Sequence, residues 1–252
     1  MGLFNRISKE LEYIFKSSWS LEETGKFWDQ VIDYEDINEM TYSYFRRFID
    51  GYKLCTVPDG SYILDFCCRP GNGTIYFHEK GKVRKAVCAD VSERMLEICS
   101  KKLKEKGIDF STILIKDYQF PFNDKEFDAV LCFETVEHIA EPHLILKEFN
   151  RLLKENGQLL LTTPNILWAP VHWIAAIFNY HHSEGPRRFL SRKRLVKIIT
   201  EAGFRIVKEK TTVLIPGGPK FLIKIGEGIE KGIGEMGMRL LGLRRILICV
   251  KD

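Results

Sequence analysis

The sequence predicts an α/β protein: a seven-stranded, mainly parallel sheet with helices on both faces and an N-terminal helical cap. Three observations predict it. From residue 61 onward, short and nearly uninterrupted apolar runs alternate with helical stretches, the pattern of strands buried on both faces. The first run breaks into a glycine-containing loop and then a helix, "SYILDFCCRPGNGTIYF", residues 61–77. Three successive strand candidates end in aspartate, at Asp65, Asp90 and Asp117.

The elements follow in order. Residues 3–15 set Leu3, Phe4, Ile7, Leu11, Ile14 and Phe15 at helical spacing, an amphipathic helix. Residues 21–52 read as helical and carry many aromatics, Phe27, Trp28, Tyr42 and Phe48 among them. Residues 1–55 are thus the cap and 56–252 the sheet domain. Strands are expected at "YILDF" (62–66), "KAVCAD" (85–90), "STILIKD" (111–117), "FDAVLCF" (127–133) and "GQLLLTTP" (157–164). After the second of them Ser92 can cap a helix that Gly107 ends. Beyond the fifth come an apolar segment, 166–178, and a basic helix, 191–204. The last two strands are "RIVKEKTTVLI" (205–215) and "RRILICVK" (244–251). Two insertions interrupt the domain: an apolar and basic one at 166–190, and a Gly-rich one containing a helix at 216–243.

Composition narrows the class. A chain of 252 residues suffices for one sizeable α/β domain with additions. Hydrophobic residues at 45% and charged residues at 29% are ordinary for a soluble globular protein. A net charge of +4 is too small to indicate nucleic acid. The seven cysteines show no paired CxxC spacing, which favours neither a disulfide framework nor a zinc site, but reduced thiols in the cytoplasm. The N-terminus has no long apolar run and carries Glu10 and Glu12, unlike a signal peptide, and Arg6 stands where a myristoylation signal needs Ser or Thr. No run approaches the ~20 apolar residues of a membrane span. The nearest, 166–178, is interrupted by Pro170 and His172.

Parallel strands present their carboxyl ends on one rim, where ligands bind. Asp65 can fix the glycine loop or attract an ammonium group through ordered water. Asp90 suits a ribose diol, because a carboxylate accepts two hydrogen bonds. Asp117 can accept from an exocyclic amine such as that of adenine. Any one of them alone also reads as a helix or turn cap; three on one rim after a glycine loop point to a nucleoside-like ligand. In that loop Cys67 and Arg69 stand where two more glycines are expected. Glycine serves there for positive φ or for close approach of the ligand. An arginine costs ~1 kcal/mol if left-handed, and must turn its side chain away from the ligand. NAD is the poorer candidate, because G-x-G-x-x-G is absent from 67–72 and Pro70 removes a backbone donor.

At this point the sequence resembles the class I S-adenosylmethionine-dependent methyltransferases, especially the small-molecule branch that includes ubiquinone and menaquinone biosynthesis enzymes. "ILDFCCRPGNGT" is similar to that family's glycine-rich first motif and "VCADVSERML" to its second-strand motif. "KDYQFPFNDKEFDAVLCFETVEHI", "LLKENGQLLLTTPN" and "RFLSRKRLVKIITEAGF" resemble its later segments, so that the resemblance covers roughly residues 60–210. It implies a Rossmann-like fold and S-adenosylmethionine as cofactor. The residues it implies at the cofactor are Asp65, Cys67, Gly71, Asp90 and Val91, then Met95, Asp117, Tyr118, Phe133 and Glu134. No metal is expected.

The implied reaction displaces a sulfonium, so holding the nucleophile in line and excluding water supply most of the catalysis. An oxygen nucleophile gains from a base. The candidates are His138, in "ETVEHI", and His182, in the pair His181–His182 beside Glu184. Each also reads as a structural hydrogen bond or a cap. The fourth strand runs into "FETVEH", not the Asn/Asp-Pro-Pro-aromatic run of nucleic-acid amino-methyltransferases, which argues against such acceptors. The apolar segment 166–178 is followed by Arg187, Arg188, Arg192, Lys193, Arg194 and Lys197. An apolar wall with a basic rim suits a small hydrophobic or lipid-like acceptor with an anionic head, taken at a membrane surface. A core helix and a solvated helix face are the alternatives. The rival function, which Arg69 motivates, is a non-catalytic nucleoside-binding protein that keeps the fold.

Overall fold

The computed structural model describes residues 3–16, 19–31, 41–178 and 184–252. Seven strands form one sheet: β1 (Ser61–Phe66), β2 (Val83–Asp90), β3 (Asp109–Leu114), β4 (Phe127–Phe133), β5 (Leu153–Pro164), β6 (Phe204–Thr212) and β7 (Arg244–Lys251). Their order is β3-β2-β1-β4-β5-β7-β6. All pairs are parallel except those of β7, which runs antiparallel to both β5 and β6. The chain builds outward from β1 to β3 and then returns to place β4 on the other side of β1. This reversal opens a crevice at the carboxyl ends of β1 and β4.

The helices are α1 (Leu3–Phe15), α2 (Leu21–Asp29), α3 (Tyr42–Leu54), α4 (Asn72–Glu79), α5 (Glu93–Glu105), α6 (Pro142–Leu152), α7 (Ala169–Ile177), α8 (Arg192–Glu201), α9 (Lys220–Gly232) and α10 (Gly234–Leu241). With helices on both faces, the central strands bury every apolar residue. Ile63, Leu64, Phe66, Leu131 and Leu160 are inaccessible to solvent, and so the strands read as continuous apolar runs rather than alternating ones. None of the helices among the described residues is long and apolar enough to cross a membrane.

The expected β4 and β7 agree with the structure residue for residue, β1 and β2 begin one and two residues earlier than expected, and the other three strands differ for local reasons. β3 ends at Leu114, short of Asp117, because the Asp117 side chain accepts the Gln119 amide at 2.7 Å and folds the chain into a turn. β5 begins early, with Leu153 pairing with Phe127 ahead of a register shift. β6 stops before Val213, whose φ of 66° is incompatible with a continuing strand. Among the described residues the helical stretch 21–52 holds two helices, and residues 32–40 between them lie outside the described residues.

Two packing contacts set the walls of the crevice. A Cβ on Gly25 would lie 2.3 Å from the Val91 carbonyl oxygen, so α2 rests its backbone directly on the turn after β2. Asp29, at the end of α2, accepts from Ser92 Oγ at 2.6 Å and from the Arg94 amide at 3.3 Å, which ties α2 to the start of α5. On the other side Phe48 of α3 packs edge-on to Phe133 at 5.0 Å. Beneath the glycine loop the sulfurs of Cys68, Cys88 and Cys99 lie within 4.8 Å of one another, a grouping of buried thiols that the spacing in sequence does not reveal.

Candidate active site

The loop after β1 supplies the floor of the crevice. Asp65 is buried and its Oδ2 accepts the Thr74 amide at 3.2 Å and the Thr74 hydroxyl at 2.7 Å. It therefore pins the first turn of α4. Burial, with the Cys88 thiol adding to it, raises its pKa to about 8. Gly71 has a φ of 81°, and a Cβ there would press on Leu103 and Cys99. Cys67 and Arg69 are both left-handed, each at φ 52°, where glycine was expected. The Arg69 amide donates to Asp90 Oδ2 at 2.9 Å, and Asp90 Oδ1 accepts the Ser92 amide at 3.0 Å. Burial raises the Asp90 pKa to about 6 against the pull of these two bonds.

The Arg69 side chain corrects one expectation. It does not turn away but crosses the crevice, where Nη2 donates to the Glu134 carbonyl at 2.8 Å. Its guanidinium carbon also lies 5.6 Å from the Trp28 ring centroid. A carbonyl acceptor and an aromatic face thus hold the guanidinium across the cleft. Leu21, Thr24 and Trp28 of α2 close the crevice from above, and about 30 Å³ remains open, enough for roughly one water.

Cys67, Asp90, Val91, Met95 and His138 line this crevice, as the sequence reading brings them together. Phe133 is buried behind it. Asp117 and Tyr118 are not in the lining: Asp117 is exposed and caps its own turn, and Tyr118 packs against the core. His182 lies outside the described residues. His138 sits in a 3-10 turn, Val136–His138, with Nδ1 3.3 Å from the Pro186 carbonyl. That carbonyl can only accept, so Nδ1 carries the proton and Nε2 has a free lone pair. Burial lowers the imidazole pKa to about 4, which keeps the ring neutral at neutral pH.

Glu134 follows β4 at a φ of 50° and points three ways. Its amide donates to Thr162 of β5, its carbonyl accepts Arg69, and its Oε1 accepts Arg244 Nε at 2.8 Å. Arg244 is buried and also donates to the Ser43 carbonyl at 2.8 Å. Burial alone would raise the Glu134 pKa, but the charges of Arg244 and Arg47 outweigh it and hold the carboxylate ionised. On the carboxylate side lies a second cavity of about 440 Å³. Arg47, Glu134 and Arg244 form its polar end, and Trp168, Val171, Ala175 and Leu243 form an apolar wall.

The apolar segment 166–178 is therefore not a core helix: part of it faces this cavity, and Leu167, Ile174 and Phe178 are exposed. The basic rim read from sequence is paired in part, while Lys193 and Arg194 are exposed. Arg187 is buried and paired with Glu184 at 2.6 Å, Arg192 pairs with Glu209, and Lys197 lies beside Glu201. The cations of the cavity are Arg47 and Arg244 instead. Both left a trace in the sequence. Helical spacing puts Arg47 on the same face as Tyr44, Phe48 and Gly51, and Arg244 opens a strand that is otherwise apolar. A charge on a buried face demands a partner or a ligand.

Residues 64–161 match the family model described as a methyltransferase domain. Over 177 residues the chain is 28% identical to a demethylmenaquinone methyltransferase of Listeria monocytogenes serotype 4b (strain CLIP80459), covering 62% of this chain and 75% of that one. Over 142 residues it is 28% identical to a ubiquinone/menaquinone biosynthesis C-methyltransferase, UbiE, of Shewanella baltica (strain OS155 / ATCC BAA-1091), covering 54% of this chain and 57% of that one. Among solved structures, the [4+2]-cyclase SpnF superposes with a TM-score of 0.68 at 16% identity, covering 93% of this chain and 98% of that one. Geranyl diphosphate C-methyltransferase of Streptomyces coelicolor A3(2) superposes with a TM-score of 0.63 at 14% identity, covering 92% and 97%. At these identities the two structures speak for the fold alone.

Glu134→Ala leaves the Arg244 guanidinium buried without its carboxylate. It is expected to cost about 3 kcal/mol of stability, read as a lowered urea midpoint with an unchanged slope. A loss within ~0.5 kcal/mol would show that the pair does not hold β4, β7 and α3 together.

Proposed function

We propose that the chain is a class I S-adenosylmethionine-dependent methyltransferase and that it methylates a small, apolar acceptor seated in the cavity behind Glu134. One observation carries the proposal: Glu134 separates two cavities, with its carbonyl reached by Arg69 of the cofactor crevice and its carboxylate lining the larger one. A group transferred between them passes a single residue. The relatives named for demethylmenaquinone and for ubiquinone and menaquinone biosynthesis support an acceptor of that size and polarity.

S-adenosylmethionine is the cofactor, and when bound it supplies a methyl group on a sulfonium. The chemistry of the crevice suits a cationic nucleoside: Asp90 lies in its lining, and the Arg69 guanidinium already crosses it to the Glu134 carbonyl. The space does not yet admit it, and Arg69 must first withdraw. In this reading Asp90 holds the ribose through its remaining lone pairs. Val91 and Met95 offer an apolar surface to the base, Cys67 and Gly71 shape the loop, and α2 excludes water. His138, neutral and with Nε2 as acceptor, can take a proton from an acceptor hydroxyl.

The rim of the acceptor cavity supports uptake at a lipid surface. Val171, Ile174 and Phe178 of the α7 region and Phe221 and Ile225 of α9 expose apolar side chains. Lys220 and Lys224 stand among the latter. An apolar face edged by lysines suits an anionic bilayer.

Three measurements test the reading. Removing the competing guanidinium in Arg69→Gly should tighten S-adenosylmethionine binding by about tenfold, the worth of one charge-assisted hydrogen bond, followed by Trp28 fluorescence. Weaker binding would make Arg69 a ligand rather than a competitor, and no binding by either protein would remove the cofactor. Because the Asp90 pKa is raised to about 6, cofactor affinity should fall as the pH drops through 6 and its carboxylate takes a proton. Asp90→Asn should be weak and flat over the same range. Ala175→Trp should abolish methyl transfer to a demethylquinone while leaving cofactor affinity unchanged; retained transfer would place the acceptor elsewhere.

A further inference from the structure

Arg47 is the least compensated charge in the acceptor cavity. It projects from α3 and is only 8% exposed. Its Nε donates to the Tyr44 carbonyl at 3.0 Å, and its guanidinium carbon lies 4.6 Å from the Tyr44 ring centroid and 5.9 Å from that of Phe48. These contacts hold the plane of the group but use neither terminal nitrogen. Among the described residues no carboxylate lies within ion-pair distance of it: Glu134, whose carboxylate feels its charge, is bonded to Arg244. Glu184, the other carboxylate of the lining, is bonded to Arg187, which lies outside the lining.

Burying an arginine without a counter-ion is costly unless something else supplies the negative charge. A guanidinium held by its aromatic face and by Nε keeps both Nη groups aimed along one edge. That fork matches the two oxygens of a carboxylate or a phosphate. The apolar wall, Trp168, Val171, Ala175 and Leu243, begins beside it, and the 216–218 loop also borders the cavity.

We infer that Arg47 is the seat of an anionic head, a carboxylate or a phosphate, on an otherwise apolar acceptor. This rests on the reading of the cavity as the acceptor site. The head lies inward against Arg47, and the apolar remainder runs along α7 toward the exposed side chains of that helix. The orientation brings the part of the acceptor next to the head, rather than its far end, up to Glu134 and the cofactor crevice.

The test is a titration of the purified chain with four amphiphiles of equal chain length: decanoate, decyl phosphate, decanol and decyltrimethylammonium. Decanoate or decyl phosphate is expected to bind about tenfold or more tightly than decanol, and the ammonium not at all. Whichever anion binds better identifies the head group. In Arg47→Met the anion is expected to fall to the affinity of decanol, while decanol itself is unchanged. In Arg47→Lys part of the preference should return, because the charge is kept and the fork is lost. Circular dichroism and urea midpoints report whether each variant is folded. The comparison of anion with alcohol on the natural sequence needs no variant, so a failure to fold does not block the test. Equal binding of decanoate, decyl phosphate and decanol, all lost in Ala175→Trp, would overturn the anionic head and keep the cavity as acceptor site. An anion preference that survives Arg47→Met would also overturn it. Binding of none of the four, together with methyl transfer unaffected by Ala175→Trp, would overturn the acceptor reading beneath it.

Discussion

The ion pair between Glu134 and Arg244 is the contact on which the site depends. It closes at 2.8 Å between the end of β4 and the start of β7, and Arg244 also reaches the Ser43 carbonyl at the head of α3. Three elements distant in sequence are thereby held to one side chain. The pair is stable only because it is nearly dry and because the remaining donors are satisfied; with one partner gone, the other would be a bare charge in the core. Its position matters as much as its strength. Glu134 is left-handed, and that backbone angle turns its carbonyl toward Arg69 while its carboxylate lines the larger cavity.

Arg69 shows how an apparent defect in a glycine loop can be accommodated. Two residues at φ 52° cost the loop some stability. Hydrogen bonding returns part of it, since the Arg69 amide meets Asp90 and its side chain meets Glu134 and Trp28. The guanidinium is a cation placed in a cleft lined by Asp90, whose pKa burial raises to about 6.

The sheet does not choose the reaction. A solved neighbour with almost the same coverage is a [4+2]-cyclase, and another is a C-methyltransferase. What a chain of this fold does is settled by the groups at the rim of the crevice and by the cavity that adjoins it. Here the adjoining cavity sets an apolar wall beside a charged end of Arg47, Arg244, Glu134 and Glu184.

The amino-acid sequence by itself determined the sheet and much of the crevice. Continuous apolar runs could only be strands covered on both faces, so β1, β2, β4 and β7 were legible nearly to the residue. Asp65 and Asp90 were legible because they follow such runs directly. Asp117 was misplaced because a side-chain bond to the Gln119 amide ends β3 early, and a two-residue turn of this kind carries little periodic signal. Tertiary structure alone decided the rest. The direction of Arg69 is set by a carbonyl 65 residues away, and the environment of Arg244 by one 201 residues away. Local patterns report which face of an element is buried. They do not report which charges meet there, because a buried charge takes its partner from whichever strand or helix the fold brings within hydrogen-bonding distance.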